Sequence, residues 1–341
     1  MNKKEGFFMN KLTYQSIYAP FFKQFIDIKN GLGYVCLRAQ WIFLELDNFF
    51  LHKNVREIGI TKQQIEEWRA TRINDTQSAL YDKYSVLAQF CKYMCRIGYD
   101  CFIPRLPRKI SGFIPYIFTH KQMAGIFQAC DHFELYDRHL NTTLFITPAI
   151  IRLLYATGLR INEALSLKNK DIDFDKKCLY VRKSKNGDER TAPLSEALVI
   201  VLKQYVHYRD RMPLPRVKDE KSFFFVSPIG TRCSQGVVYD WFKKALAVSG
   251  IPHKGDHKGP RLHDLRHTFA VHSLIKMSKS GLDLYYSLPL LSTCLGHRSL
   301  KSTDQYVRLT AEIYQDLLKD ENEISAHIFP KTKMNINNGD N

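Results

Sequence analysis

Residues 157–165 read Thr157-Gly158-Leu159-Arg160-Ile161-Asn162-Glu163-Ala164-Leu165. A glycine breaks the course of the chain and an arginine follows it. Ile161, Leu165 and Leu167 then give the next segment an apolar helical face. An arginine at such a bend can point out of the core, where its planar fork can clamp a phosphate through two parallel hydrogen bonds. Glu163, three residues on, is placed to orient it. Taken alone, the same pattern describes a surface ion pair.

Three more patterns follow. Lys177-Cys178-Leu179-Tyr180-Val181-Arg182 reads as a strand, Asn186-Gly187 as a hairpin turn whose residues tolerate positive φ, and 189–193 as the return strand. Lys185 stands at that tip, either solvated or reaching into a ligand, where an ammonium can protonate a leaving oxygen. In His263-Asp264-Leu265-Arg266-His267, helical spacing puts His263 on one face with Arg266 and with His267. Leu295-Gly296-His297-Arg298-Ser299-Leu300 precedes Thr303 and Tyr306. Zinc held by His253, His257, His263 and His267 is an alternative for the histidines. Gly255, Gly259 and Pro260 interrupt that run, no acidic or Cys ligand completes it, and an arginine beside a dication would repel it.

The combination says more than its parts. Two Arg, two His, one Lys and one Tyr come in a fixed order with no carboxylate cluster to hold a metal. Phosphoryl transfer needs its equatorial oxygens neutralised and a nucleophile in line. Arginines and histidines can do the first. A tyrosine can do the second by forming a covalent intermediate.

Around these motifs the pattern is mainly α with a small β-hairpin or sheet. Helices are expected at 14–30, 34–51, after Thr61 (with Gln64 completing a capping box) and at 79–98, a bundle of about four. Ile103-Pro104-Arg105-Leu106-Pro107-Arg108-Lys109 is a basic, proline-broken stretch, read as linker. The organisation is then 1–110 as a helical domain, 111–118 as linker, 119–330 as a second domain and 331–341 as a disordered tail. In the second domain helices are expected near 120–130, 148–157, 195–209, 235–249, 263–276 and 288–295. The Tyr306 segment comes next, with a last helix near 310–320.

The chain has 341 residues and a formal net charge of +16, and 45% hydrophobic with 25% charged residues suits globular folding. Residues 1–114 hold 17 basic and 10 acidic side chains and the rest 33 and 24, so both halves are basic. This favours an anionic partner gripped by two domains. No early segment has the form of a signal peptide, and no stretch approaches the roughly 20 apolar residues that span a bilayer. Eight cysteines without a CxxC pair point to free thiols and a reducing cytoplasm, with Cys91 and Cys95 expected to be buried.

The ordered set resembles the tyrosine recombinases, or phage-type integrases, whose signature is Arg, Lys, His-x-x-Arg, His or Trp, and Tyr. Here the slots hold Arg160, Lys185, His263, Arg266, His297 and, nine residues later, Tyr306. The resemblance covers about 115–320 by motif, and 1–110 by order and helix content as the core-binding domain. It implies an α+β catalytic domain and metal-independent strand cutting and rejoining without a cofactor. Tyr306 would attack the scissile phosphate to give a 3′-phosphotyrosyl link, and Arg160 and Arg266 would bracket the phosphate. His263 would assist with protons and hold an oxygen, His297 would donate to the phosphate, and Lys185 would protonate the 5′-oxygen. Glu163 and Asp264 would support them. The implied partners are double-stranded DNA with recombination sites and further copies of the chain, as a tetramer on two sites. Ile313, Leu317 and Leu318 would form the apolar face of a C-terminal helix docked on a neighbour or within its own subunit. The stretch between Arg266 and His297 is longer than in compact family members. A catalytically silent DNA-binding accessory protein and a type IB topoisomerase-like enzyme are the competing readings.

Overall fold

The structure, a computed structural model, describes residues 12–108, 114–134, 143–182, 189–253, 255, 259–297, 299 and 301–313, with backbone alone at 284–285, 301–302 and 311–313. The chain divides into two compact units, Met1–Phe113 and Ile114–Asn341.

Four helices make the first unit: α1 (Ala19–Gly31), α2 (Leu37–His52), α3 (Lys62–Ala70) and α4 (Gln77–Arg96). Thr61 and Gln64 form the expected capping box at the start of α3. Gly98, with φ +95°, follows the end of α4 in the left-handed conformation that glycine adopts freely. The apolar faces meet in an aromatic core, where Phe22 stacks on Phe43 at 4.6 Å and tilts against Phe90 at 4.8 Å. α1 and α2 each start later than the apolar spacing suggests, because Pro20 sits at the first turn of α1 and the Gly33 and Tyr34 N–H groups close α1 on the Asn30 and Lys29 carbonyls.

The second unit begins earlier than its first helix. Residues 114–118, read as linker, belong to it. Phe118 is fully buried, and its N–H donates to Thr268 Oγ1 at 3.1 Å. Then come α5 (His120–Asp131), α6 (Thr147–Thr157) and the single turn α7 (Ile161–Ala164). A three-stranded antiparallel sheet follows in the order β1 (Ile172–Asp173), β2 (Cys178–Val181), β3 (Arg190–Pro193), with Val181 opposite Arg190. β1 goes beyond the expected hairpin; at two residues it is too short to carry an alternating pattern. The hairpin tip at 183–188, with Lys185 and Asn186-Gly187, lies outside the described residues.

Helices α8 (Glu196–Arg209), α9 (Gln235–Val248), α10 (Leu262–Lys279), α11 (Leu284–Leu295) and α12 (Lys301–Ile313) complete the unit. One core gathers α5, α6, α8, α9 and the sheet. A second joins α10, α11 and α12 through Val271, Leu274, Leu291, Leu295, Tyr306 and Leu309. Between Arg266 and His297 the chain forms the rest of α10, three residues longer at its end than expected, and α11, which starts four residues earlier than expected. Tyr306 lies inside helix α12, and not in a segment that precedes a later helix. The Ile313 side chain, Leu317, Leu318 and the expected tail lie outside the described residues.

Among the described residues no helix is long and apolar enough to cross a membrane. All eight cysteines are free. Cys91 is buried, but Cys95 is exposed, against expectation: its position on α4 turns away from the core and its Sγ donates to the Cys101 carbonyl.

Candidate active site

The site is built at the corner between α6 and α7. Gly158 closes α6 in a left-handed conformation, φ +62°. A Cβ there would meet Phe269 Cδ1 at 2.4 Å and Leu295 Cδ2 at 2.9 Å, so α10 and the end of α11 pack against the bare backbone. Two residues on, Arg160 is the extended N-cap of α7. Its N–H donates to Glu163 Oε2 at 3.0 Å and its Nη1 to Glu163 Oε1 at 2.8 Å. The expected orienting contact is therefore present, and the Arg160 side chain stays partly open to solvent.

Glu163 is buried and has a second cation. Arg190, the first residue of β3, donates from Nη2 to Oε2 at 2.7 Å and from Nη1 to Oε1 at 3.3 Å. Its Nε donates to the Cys294 carbonyl at 3.0 Å. Burial pushes the Glu163 pKa up, but the hydrogen bonds from Arg190 and the Arg160 amide, the charge of Arg190 and the hydrogen bond from the Arg160 guanidinium outweigh it and hold the carboxyl below its ordinary value. Arg190 thus ties three pieces of chain together: the hairpin that carries Lys185, the Arg160 corner and the end of α11. No local pattern marks it in the sequence, since its role depends on the strand register.

α10 supplies the next group. Asp264 accepts from the Arg261 N–H at 2.7 Å and from its Nη2 at 3.3 Å, so it caps the helix rather than steering Arg266. Arg266 is 2% exposed. Its Nη1 donates to the Gly158 carbonyl at 2.7 Å, and its Nη2 donates to the Leu295 carbonyl at 2.7 Å and to His297 Nε2 at 2.9 Å. Burial, and after it the charge of Arg160, lowers its pKa to about 10, so it remains a cation at physiological pH. An arginine can only donate, so His297 Nε2 accepts and its Nδ1–H donates to Thr303 Oγ1 at 2.8 Å. Burial, followed by the charges of Arg266, Arg160 and Arg190, brings the His297 pKa down to about 4 and keeps the ring neutral.

Tyr306 completes the cluster. Its ring lies parallel to His297, with centroids 6.2 Å apart and planes 11° apart, and its hydroxyl is 3.1 Å from His267 Nδ1. The residue is 1% exposed. Burial raises the phenol's pKa against the opposing charge of Arg266. His263 sits at the open rim with its ring edge-on to His267 at 4.9 Å. The protein packed around it, and then Arg266, Arg261 and Arg160, lower its pKa to about 4. Arg160, His263, Arg266, His297 and Tyr306 are therefore gathered around one corner, and Lys185 lies outside the described residues. Arg190 and the His267–Tyr306 contact are additions the sequence does not reveal, although His267 is visible as the last residue of its motif. Among the described residues no group of three or more His, Cys, Asp or Glu is placed to hold a metal. Of the histidines weighed for zinc, His253 meets Tyr239 Oη through Nε2 at 3.0 Å, and His257 lies outside the described residues.

The model of the phage integrase family matches residues 117–312, over half of the chain. The chain belongs to the phage integrase family. This integrase-family protein is a tyrosine-type site-specific recombinase. It is 25% identical over 302 residues to the Sinorhizobium fredii protein y4rB, which carries the name integrase/recombinase, covering 87% of this chain and 94% of that one. Tyrosine recombinase XerA of Pyrococcus furiosus is 29% identical over 217 residues, 63% of this chain and 64% of that protein. Among solved structures, XerH site-specific recombinase bound to palindromic difH substrate superposes with TM-score 0.60 at 19% identity, covering 79% of this chain and 74% of that one. The Tn1549 transposon integrase in complex with circular intermediate DNA gives TM-score 0.61 at 18% identity, covering 84% and 93%. These likenesses show the fold, a helical protein with a small sheet, as expected.

Proposed function

We propose that this recombinase cuts and rejoins double-stranded DNA at specific sites, with Tyr306 as nucleophile and a 3′-phosphotyrosyl intermediate. The observation that carries the assignment is the approach of the Tyr306 hydroxyl to the α10 turn whose Arg266 is held between the Gly158 and Leu295 carbonyls. In this reading Arg160 and Arg266 neutralise the non-bridging oxygens, and His263 adds a donor at the rim. His297 is held beside Arg266. A phosphate that draws the Arg266 Nη2–H away lets the neutral His297 ring carry its one proton on Nε2 instead of Nδ1 and donate from there, with the Thr303 hydroxyl then donating to Nδ1. Lys185 protonates the departing 5′-oxygen. Glu163 and Arg190 keep Arg160 aimed. Residues 1–110 act as the core-binding domain and four copies work on two DNA sites in the cytoplasm; between a cellular resolvase and a mobile-element integrase, the added length between Arg266 and His297 favours the second.

The test is covalent trapping on a labelled duplex that carries the recombination site. The native chain forms a protein–DNA adduct that survives denaturation, and Tyr306→Phe forms none while binding duplex as before. An adduct with Tyr306→Phe overturns the nucleophile. Adduct formation persists in EDTA, and its loss there would point to a metal enzyme instead. Relaxation of a supercoiled plasmid lacking the site would favour the topoisomerase-like reading, and a native chain that binds but never forms an adduct would favour the silent one.

A further inference from the structure

We propose that Nδ1 of His267 takes the phenolic proton of Tyr306 as the phenol attacks the scissile phosphate, so that the residue after Arg266, and not His263, is the proton acceptor of strand cutting. This rests on the reading of Tyr306 as nucleophile.

Position is the first argument. The Tyr306 hydroxyl lies 3.1 Å from His267 Nδ1, within reach of direct proton transfer, and both residues are buried. A phenol enclosed in this way cannot release its proton to bulk water and needs an acceptor from the protein. His263 is on the same face of α10 but one turn earlier, at the open rim, beside Arg266 and Arg160 where the phosphate would sit.

Charge is the second. Burial, and then His263, Arg261, Arg266 and His297, hold the His267 pKa down at about 3, so the free protein carries a neutral imidazole whose lone pair can accept. Those groups come from its own helix, its N-cap and the loop after α11. Tyr306 faces it from α12, and Arg160 and Glu163 of the α7 corner act on its neighbours Arg266 and His263. An incoming phosphate brings negative charge into this cationic cluster and raises the proton affinity of His267 when the duplex is in place.

The step balances. The Tyr306 Oη–P bond forms and the P–O5′ bond breaks, while the phenolic proton moves to Nδ1 of His267, whose other nitrogen already carries a proton. The leaving 5′-oxygen takes its proton from Lys185. On rejoining, the 5′-hydroxyl attacks, its proton passes back to Lys185, and the His267 imidazolium returns its proton to the phenolic oxygen.

The experiment is single-turnover adduct formation on the same duplex from neutral to alkaline pH, with His267→Asn and His267→Leu beside the native chain and Tyr306→Phe. Asn keeps an acceptor oxygen near the Nδ1 position but cannot take up a proton. Both His267 variants are expected to slow the adduct about 100-fold or more at neutral pH, the usual scale of a general base. The deficit shrinks as rising pH ionises the phenol unaided. Native rates with His267→Asn at neutral pH would mean that His267 only orients the phenol. A deficit constant with pH would mean a packing role. Either overturns the inference, and His267→Asn alone decides between them should His267→Leu not fold. If Tyr306→Phe is inactive while the His267 variants react like the native chain, this inference alone fails. If Tyr306→Phe still forms an adduct, the nucleophile fails and the inference with it.

Discussion

Glu163 shows what one side chain can contribute. Its two oxygens serve the Arg160 amide, the Arg160 guanidinium and both terminal nitrogens of Arg190. Removing one partner of a buried ionic group costs far more than the intact pair contributes, because the remaining charges stay buried. Glu163→Gln is therefore expected to lower unfolding stability by about 3–5 kcal/mol and to slow adduct formation, as read by urea titration and by trapping. Unchanged stability would mean that solvent already compensates the two arginines. The Arg160–Glu163 relation is legible in the sequence because residues three apart are neighbours on a helix. The Arg190 contact is not, because it requires knowing that β3 runs beside the α7 corner and the end of α11.

At the level of elements, the α6–α7 corner and α10 form a fitted pair. Gly158→Ala would force a Cβ into Phe269 and Leu295 in a backbone conformation that alanine adopts at a cost. The expected loss is roughly 2–5 kcal/mol, with Arg160 and the Gly158 carbonyl displaced and the adduct rate falling with it. An alanine variant that melts with the native chain would refute the close fit. α10 also sets a pH dependence. Two of its buried histidines, His267 and His272, have pKa values lowered to about 3 and about 4, in each case first by burial. Below about 6.5, the ordinary histidine value, the unfolded chain binds protons that the folded one refuses. Stability is therefore full above that pH and falls as pH drops toward 4, by up to about 1.4 kcal/mol per unit for each buried ring. Denaturation midpoints that do not move between pH 7 and pH 4.5 would contradict this. Most helices are readable from their apolar spacing. α12 begins earlier than its spacing suggests, because its opening residues Lys301 to Gln305 are mostly polar and its burial comes from tertiary packing of Tyr306 and Leu309 against α10 and α11.

For the molecule as a whole, the proline-rich stretch after Tyr99 announces two units, and the charge of both halves announces an anionic partner. The exact division is not legible, because Phe118 is recruited by Thr268, 150 residues away in the chain. With a net charge of +16, duplex affinity should fall steeply with salt. If about 6–10 phosphates are contacted, the loss between roughly 50 and 200 mM is about 10³–10⁵-fold. A salt-insensitive binding isotherm would remove the electrostatic account of affinity.

Arg266 carries its charge into the interior with two carbonyl oxygens and an imidazole nitrogen as its hydrogen-bond partners. Dipoles of that kind solvate a cation without cancelling it. Among the described residues no carboxylate pairs directly with Arg266, and in the proposed reaction the substrate phosphate would bring that counter-charge. Any small oxyanion that lodges there should shift the folding equilibrium by mass action, so sulfate should raise the melting temperature above that in chloride of equal ionic strength. Ligand recognition and conformational stability would then be two readings of the same unfinished electrostatics.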